Sequence, residues 1–267
     1  MIPKIIHFVW LSNEKEVEYP EDVRECMASW KDKMPDYEIK VWNSDNIDLT
    51  ECQYAQEALQ EEKYAFASDY VRLWALYNYG GIYLDSDVEV VRSFDDLLDA
   101  EAFIGLEDIG RAATCVLACE KGNPLFKEFL DDYKEKRFIL GLGQYDMTPN
   151  PVPITNRLNE HGYNGKNEHQ KLDHVDVYPM TYFCPFNPYR DTGECFSENT
   201  YAIHHFGASW KSGMNENEKK FELQKKKFER MFGEKRGEQL CRNYNRIRQL
   251  GLVGWYKRRK KEREKRK

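Results

Sequence analysis

Two acidic residues one position apart, Asp85 and Asp87, follow the short apolar run Ile82-Tyr83-Leu84. In an extended chain, residues two apart point the same way, so both carboxylates can face one side while Ser86 faces the other. Paired carboxylate oxygens suit a hard divalent cation, Mn2+ or Mg2+, that keeps open positions for phosphate oxygens. The end of a buried strand is also where open α/β sheets usually hold ligands. A bare Asp-x-Asp is more often a solvated turn. What sets this one apart is the strand before it and the Gly80-Gly81 pair before that.

The preceding stretch is apolar nearly all round, with Tyr70, Val71, Leu73, Trp74, Ala75, Leu76 and Tyr77, the pattern of a buried helix. Asp69 and Arg72 stand three apart in it and share a face. They form either a buried structural ion pair or a pair aimed at sugar hydroxyls and diphosphate, the chemistry that suits Asp and Arg. Trp10, at the end of the first strand, is either core or a flat surface for a base. His204 and His205 alternate in a strand, so only one can face a cation.

These side chains need a scaffold, and the hydrophobic pattern supplies one. Strands are expected at 5–10, 37–42, 82–84, 103–106, 112–119, 175–178 and 202–206, with 88–91 continuing extended. Helices are expected at 22–30 after Pro20, at 54–62, at 68–79 up to Gly80-Gly81, from Asn123-Pro124 to Lys136, and at 154–160. Residues 141–153 read as a loop, and 217–250 as charged helix. The alternation of strands and helices predicts one α/β domain with a C-terminal helical extension and a basic tail.

Composition narrows the class. With 41% hydrophobic and 32% charged residues in 267, the chain is an ordinary globular one. No run approaches the roughly 20 apolar residues of a membrane span. The N-terminus lacks the pattern of a secretory signal. Seven scattered cysteines without a Cys-x-x-Cys pair exclude common zinc and redox motifs and predict a cytoplasmic setting. Residues 257–267 carry nine basic and two acidic side chains, a net +7; with the whole chain at −6, the rest holds −13.

The segments Ile2-Pro3-Lys4-Ile5-Ile6-His7-Phe8-Val9-Trp10, residues 67–87 (Ala67-Ser68-Asp69-Tyr70-Val71-Arg72 through Gly80-Gly81-Ile82-Tyr83-Leu84-Asp85-Ser86-Asp87) and His204-His205-Phe206-Gly207-Ala208-Ser209-Trp210 carry a resemblance. They resemble the DXD-containing sugar-transferase family, which groups yeast-type initiating mannosyltransferases, bacterial capsule and lipopolysaccharide transferases and, remotely, the glucosylating clostridial toxins. The resemblance implies a GT-A fold with a mixed Rossmann-like sheet over residues 1–214, followed by a helical extension (215–256) and a tail (257–267). It implies a retaining hexosyltransferase that uses Mn2+ or Mg2+ and a nucleotide-sugar donor, UDP-sugar preferred, with a glycan or lipid-linked acceptor.

By matching position it implies donor contacts from Phe8, Val9, Trp10, Asp69, Arg72, Tyr83, Asp85, Ser86, Ser209 and Trp210. Asp85, Asp87 and Arg72 would be catalytic. Asp87, Asp85 and His205 would hold the metal, with His204 the alternative. The chain departs from the family at Asn150, where relatives carry Gly, and at Thr114-Cys115-Val116, where they usually carry an Asn. No protein nucleophile is legible, so same-face attack is expected, with a donor phosphate oxygen taking the acceptor proton.

Two rival readings are open at this point. One is a haloacid-dehalogenase-like phosphatase using Asp85 and Asp87, which needs a second acidic pair; Asp131-Asp132 is the available one. The other is a non-enzymatic binding module using the tail, but a body at −13 repels nucleic acid, so no nucleic-acid partner is expected. Trp255-Tyr256 followed by a basic cluster matches reversible attachment to an anionic membrane surface, on the inner face of the cell membrane.

Overall fold

The structure, a computed structural model, describes residues 1–13, 18–141, 144–187 and 194–206, all within the compact unit Met1–Ala208. The expected extension and tail, and Ser209 and Trp210, lie outside the described residues. The elements run β1 (Ile5–Val9), α1 (Glu21–Lys33), β2 (Glu38–Trp42), α2 (Gln53–Gln60), α3 (Tyr64–Tyr79), β3 (Gly81–Leu84) and β4 (Val88–Val90). They continue with β5 (Ala102–Asp108), β6 (Arg111–Cys119), α4 (Pro124–Asp131), β7 (Ile139–Gly141), β8 (Gln144–Tyr145), α5 (Pro151–Glu160), β9 (Gln170–Leu172), β10 (Val175–Tyr178) and β11 (Ala202–His204).

Seven strands form one mixed sheet in the order β2-β1-β3-β6-β5-β10-β9. β1 runs parallel to both β2 and β3, while β6 is antiparallel to β3 and β5. The α/β class expected from the pattern and the mixed sheet implied by the resemblance are both present. Strand alternation divides the core into two layers. On one face Val9, Tyr83, Ile104 and Leu117 pack with Tyr70, Leu73 and Leu76 of α3 and Phe126 of α4. On the other, Phe8, Ile82, Leu84 and Cys115 pack with Trp30 of α1 and with Phe94 and Phe183.

Several boundaries differ from the expectation, each for a local reason. Residues 88–90 do not continue β3; they form β4, which pairs antiparallel with β11 in a separate two-stranded sheet. Trp30 Nε1 donates to Val88 O at 2.7 Å and Ser29 Oγ accepts from Val90 N, so α1 holds that small sheet in place. The helix after Asn123 stops at Asp131, and tight turns through Tyr133, Lys134 and Lys136 replace its last stretch. Its start is as predicted, with the Asn123 side chain accepting from Leu125 N and Phe126 N. The expected 141–153 loop contains a strand pairing, β7 with β8. The last strand ends at His204, two residues early, and Phe206 has φ +52°.

The passage from α3 into β3 takes only Gly80 and Gly81. Gly80 has φ +68° and Gly81 φ +113°, conformations costly for any residue with a Cβ. Space forbids one as well. A Cβ on Gly80 would lie 2.7 Å from Lys121 N, and one on Gly81 would lie 2.5 Å from Ile5 O. His7, fully buried in β1, closes the same junction: Nε2 donates to Gly80 O at 2.7 Å while Nδ1 accepts from Trp42 Nε1 at 3.0 Å. Burial lowers the His7 pKa to about 4, against the opposing hydrogen bond to Gly80.

Two outcomes follow for stability. Gly80→Ala and Gly81→Ala should each lower the unfolding free energy in urea by about 2 kcal/mol or more, combining positive φ with a clash against backbone. An unchanged midpoint in either variant would contradict the junction geometry. His7 works through pH. The unfolded imidazole takes a proton below about 6.5, whereas the folded one resists until about 4, so its contribution is complete above pH 6.5 and is lost as pH falls toward 4. Between pH 7 and 4 the parent should lose up to roughly 3 kcal/mol more than His7→Gln, which cannot titrate. Equal pH slopes would remove this role.

Candidate active site

The carboxylates converge by a different device from strand alternation. Asp85 N still donates to Cys115 O at 2.9 Å, extending the β3–β6 ladder by one residue. The chain then turns, with Val88 N donating back to Asp85 O at 3.2 Å. This turn carries Asp85, Ser86 and Asp87 out of the main sheet and into β4. Asp85, Asp87 and His204 each present a donor atom, all within 4.8 Å of one another.

His204 therefore joins the acidic pair, and His205 does not. β11 ends at His204, which pairs with Val88, and His204 Nε2 lies 3.4 Å from Asp87 Oδ1. His205 contributes its backbone N–H to Asp87 O at 2.9 Å, while its ring turns to Glu89 Oε2 at 3.0 Å. Of the two histidines named for the third donor, the structure groups the alternative, His204, with the acidic pair. Burial works against a charged His204, but Cys115 and Asp87 outweigh it and raise its pKa well above the ordinary imidazole value.

Behind the acidic pair lies Arg72, with its side chain 6% exposed. Its Nη2 meets Asp69 Oδ1 at 3.0 Å and Ser68 Oγ at 3.4 Å; its Nη1 meets Asp85 Oδ1 at 3.3 Å and Thr114 O at 2.8 Å. Nε donates to Ser68 O at 3.4 Å. Three of these contacts are hydrogen bonds, to Ser68 O, Ser68 Oγ and Thr114 O, and two are ion pairs, with Asp69 and Asp85. Arg72 acts as a positioning residue for Asp69 and Asp85, and its charge reaches a ligand through space. Burial disfavours that charge, yet Asp85 and Asp69 prevail and hold the pKa above the usual arginine value.

Tyr83 completes the support. Its ring lies under the guanidinium, 4.6 Å from Cζ, and its hydroxyl donates to Asp85 Oδ1 at 2.6 Å. Burial pushes the phenol well above its ordinary pKa, so it remains a donor. Asp69 is raised to about 6, chiefly by burial, with Arg72 opposing and Asp85 reinforcing the shift. The stability linked to its proton is present below the ordinary carboxylate value and is lost as pH rises through about 6.

The remaining expected donor contacts are less direct. Phe8 is wholly buried edge-on to Trp30 and Tyr19, and Val9 points into the opposite core layer. Those two and Tyr83 offer a ligand little side-chain surface. Trp10, just past the strand, is partly exposed and packs edge-on against Tyr19. Ser86 is also partly exposed, within the turn.

Residues that depart from the family pattern have clear work in the fold. Asn150 donates from Nδ2 to Asp69 O at 3.1 Å and accepts from Tyr133 Oη at 3.2 Å, tying the start of α5 to α3. Thr114 supplies the carbonyl that receives Arg72. No spacing rule would have found these, because each acts across the fold. The phosphatase alternative loses its second acidic pair: Asp131 is bound by Lys127 and Lys134, and Asp132 by Arg157, beside helix α4 and not at a strand end.

Two carboxylates and an imidazole, partly exposed and mutually within reach, fit a hard divalent cation that keeps positions open for phosphate oxygens. Residues 20–104 match the family described as glycosyltransferase sugar-binding region containing DXD motif. The matched region includes the Asp69–Arg72 helix and the Asp85–Asp87 turn.

Two relatives are similar over about half of this chain. Inositol phosphoceramide mannosyltransferase 3 of Schizosaccharomyces pombe is 35% identical over 127 residues, 46% of this chain and 35% of that protein. Mannosyl phosphorylinositol ceramide synthase CSH1 of Saccharomyces cerevisiae is 27% identical over 146 residues, 52% of this chain and 38% of that protein. The chain thus spans little more than a third of the length of either. Among solved structures, the galactosyltransferase LgtC with donor and acceptor sugar analogues aligns at TM-score 0.42 and 16% identity, over 89% of this chain and 95% of that one.

The buried ion cluster makes a stability prediction. Arg72→Met leaves Asp69 and Asp85 without their counter-charge and should cost about 3 to 5 kcal/mol in denaturant unfolding. Adding Asp69→Asn should recover part of that loss, a coupling of at least ~1 kcal/mol in the double-mutant cycle. Strict additivity would show that the pair is not coupled.

Proposed function

We propose that this chain is a metal-dependent hexosyltransferase that moves a sugar from a nucleoside diphosphate to a hydroxyl of a glycan or lipid-linked acceptor. The observation that carries the reading is the convergence of Asp85, Asp87 and His204 within 4.8 Å at the end of β3, backed by the fixed charge of Arg72. The DXD family match supports the same chemistry. The relatives' names support mannose as one sugar to test and an inositol phosphoceramide as one acceptor. The donor base is inferred to be uracil, with a guanine nucleotide as the other arm of the test.

Breaking the anomeric C–O bond leaves negative charge on the diphosphate, so the main task is to stabilise the leaving group. A Mn2+ or Mg2+ ion held by Asp85, Asp87 and His204 would supply that charge. Tyr83 and Arg72 hold Asp85 Oδ1, which fixes the rotamer of one carboxylate before any ligand arrives. Asp69, close to Arg72 and partly screened from water, is suited to accept from a sugar hydroxyl. Trp10 is the surface on which a base would stack. We infer retention of configuration, with the acceptor proton passing to a donor phosphate oxygen.

The test is a screen of UDP-glucose, UDP-galactose and GDP-mannose with Mn2+, reading thermal stabilisation and donor hydrolysis and, with an acceptor, the product anomer by NMR. One donor should stabilise the parent, and Asp87→Ala should lose that shift and at least ~100-fold in turnover. A donor response undiminished in Asp87→Ala would remove the proposal.

A further inference from the structure

His204 belongs to a second group of donors. Cys115, on β6, and Cys184 are both buried, with their sulfurs 3.4 Å apart. A ring nitrogen of His204 lies within 4.8 Å of both. Two features make this more than a buried thiol pair. His204 Nδ1 is shielded from solvent and has no nitrogen or oxygen partner, although the ring interacts with the Cys115 thiol and Nε2 lies beside Asp87. The spacing also suits a metal: tetrahedral Zn2+ with Zn–S bonds of about 2.3 Å separates its two sulfurs by roughly 3.8 Å, a few tenths from what is present.

We propose that Cys115, Cys184 and His204 form a site for a thiophilic divalent cation of the Zn2+ or Cd2+ class, sharing His204 with the carboxylate pair. Two thiolates neutralise the cation and neutral imidazole adds a third ligand, the donor set that soft and borderline ions prefer over Mg2+ or Mn2+. Burial holds the Cys115 thiol protonated when no cation is present, so binding releases protons to solvent. An ion on the Nδ1 side leaves the ring's one proton on Nε2, so that nitrogen can no longer ligate a cation between Asp85 and Asp87. That consequence alone rests on the hard-cation reading; the site itself does not.

The experiment uses the full chain, reduced and metal-free, titrated with Cd2+ while thiolate-to-metal absorption is followed in the ultraviolet. The band should saturate at one equivalent, vanish in Cys184→Ser and in Cys184→Ala, which adds no buried hydroxyl, and persist in Asp87→Asn. Cd2+-loaded parent should then bind Mn2+ at least ~10-fold more weakly by electron paramagnetic resonance, and Cys184→Ser should remove that effect of Cd2+. A missing stoichiometric band, or one unaltered in both Cys184 variants, would overturn the site. A normal band with undisturbed Mn2+ binding would overturn the sharing of His204. Failure of the metal-free parent to bind Mn2+ counts against the hard-cation reading, and the thiol site then stands or falls on the Cd2+ band alone.

Discussion

Taking a guanidinium out of water is costly unless oxygens and opposite charge replace its hydration, and Arg72 meets both conditions at once. Ser68 and Asp69 come from its own helix, Thr114 O from β6 and Asp85 from the end of β3. One side chain therefore joins a helix to two neighbouring strands. The constraint works in both directions: the carboxylates make the buried charge tolerable, and the buried charge prevents them from swinging into solvent. A site that must meet a highly charged ligand gains by having part of its own geometry settled beforehand.

The glycine junction serves the same end by a different route. Arg72 and Asp85 are 13 positions apart in sequence, and only a short, sharp link between α3 and β3 can return the chain so that they meet. A longer loop would add freedom at the point where the ion pairs need registry, while any Cβ at Gly80 or Gly81 would collide with the backbone of a neighbouring segment. His7 then clamps the link from the adjacent strand, and its neutral state lets one nitrogen donate and the other accept. Buried polar groups that are satisfied in this way specify a single arrangement better than apolar contacts do.

Much of this is legible in the chain itself because it depends on local pattern. The apolar helix, the glycines, the short strand and the acidic pair are contiguous, and together they indicate where a ligand-binding edge lies. Alternation accounts for the convergence of Asp85 and Asp87 only in part: it predicts a shared side along a strand, whereas a turn closed by Val88 N brings them to His204. The choice between His204 and His205 is open in the sequence for a related reason. Alternation says that two adjacent residues face opposite ways but not which one faces in, and the register with Val88 decides that. Arg72 reads as a phosphate ligand because its type suits that role; its hydrogen bonds to Ser68 O and Thr114 O are invisible without coordinates. Asn150 and Cys115 look like departures from a pattern, yet each is fitted to a partner far away in sequence.

The position of His204 between two donor sets has a physical consequence beyond either one. Carboxylates favour small, hard, strongly hydrated ions, and thiolates favour softer ones, while imidazole accepts both kinds. A neutral ring has one nitrogen free to ligate and carries its proton on the other, so it can serve only one of the two sets at a time. A proton competes as well, since the acidic surroundings hold it on the ring more firmly than in water. Which species occupies His204 is thus set by the ions available and by pH, and the turn that carries Asp85 and Asp87 has at most two protein carboxylates left whenever the histidine is engaged elsewhere.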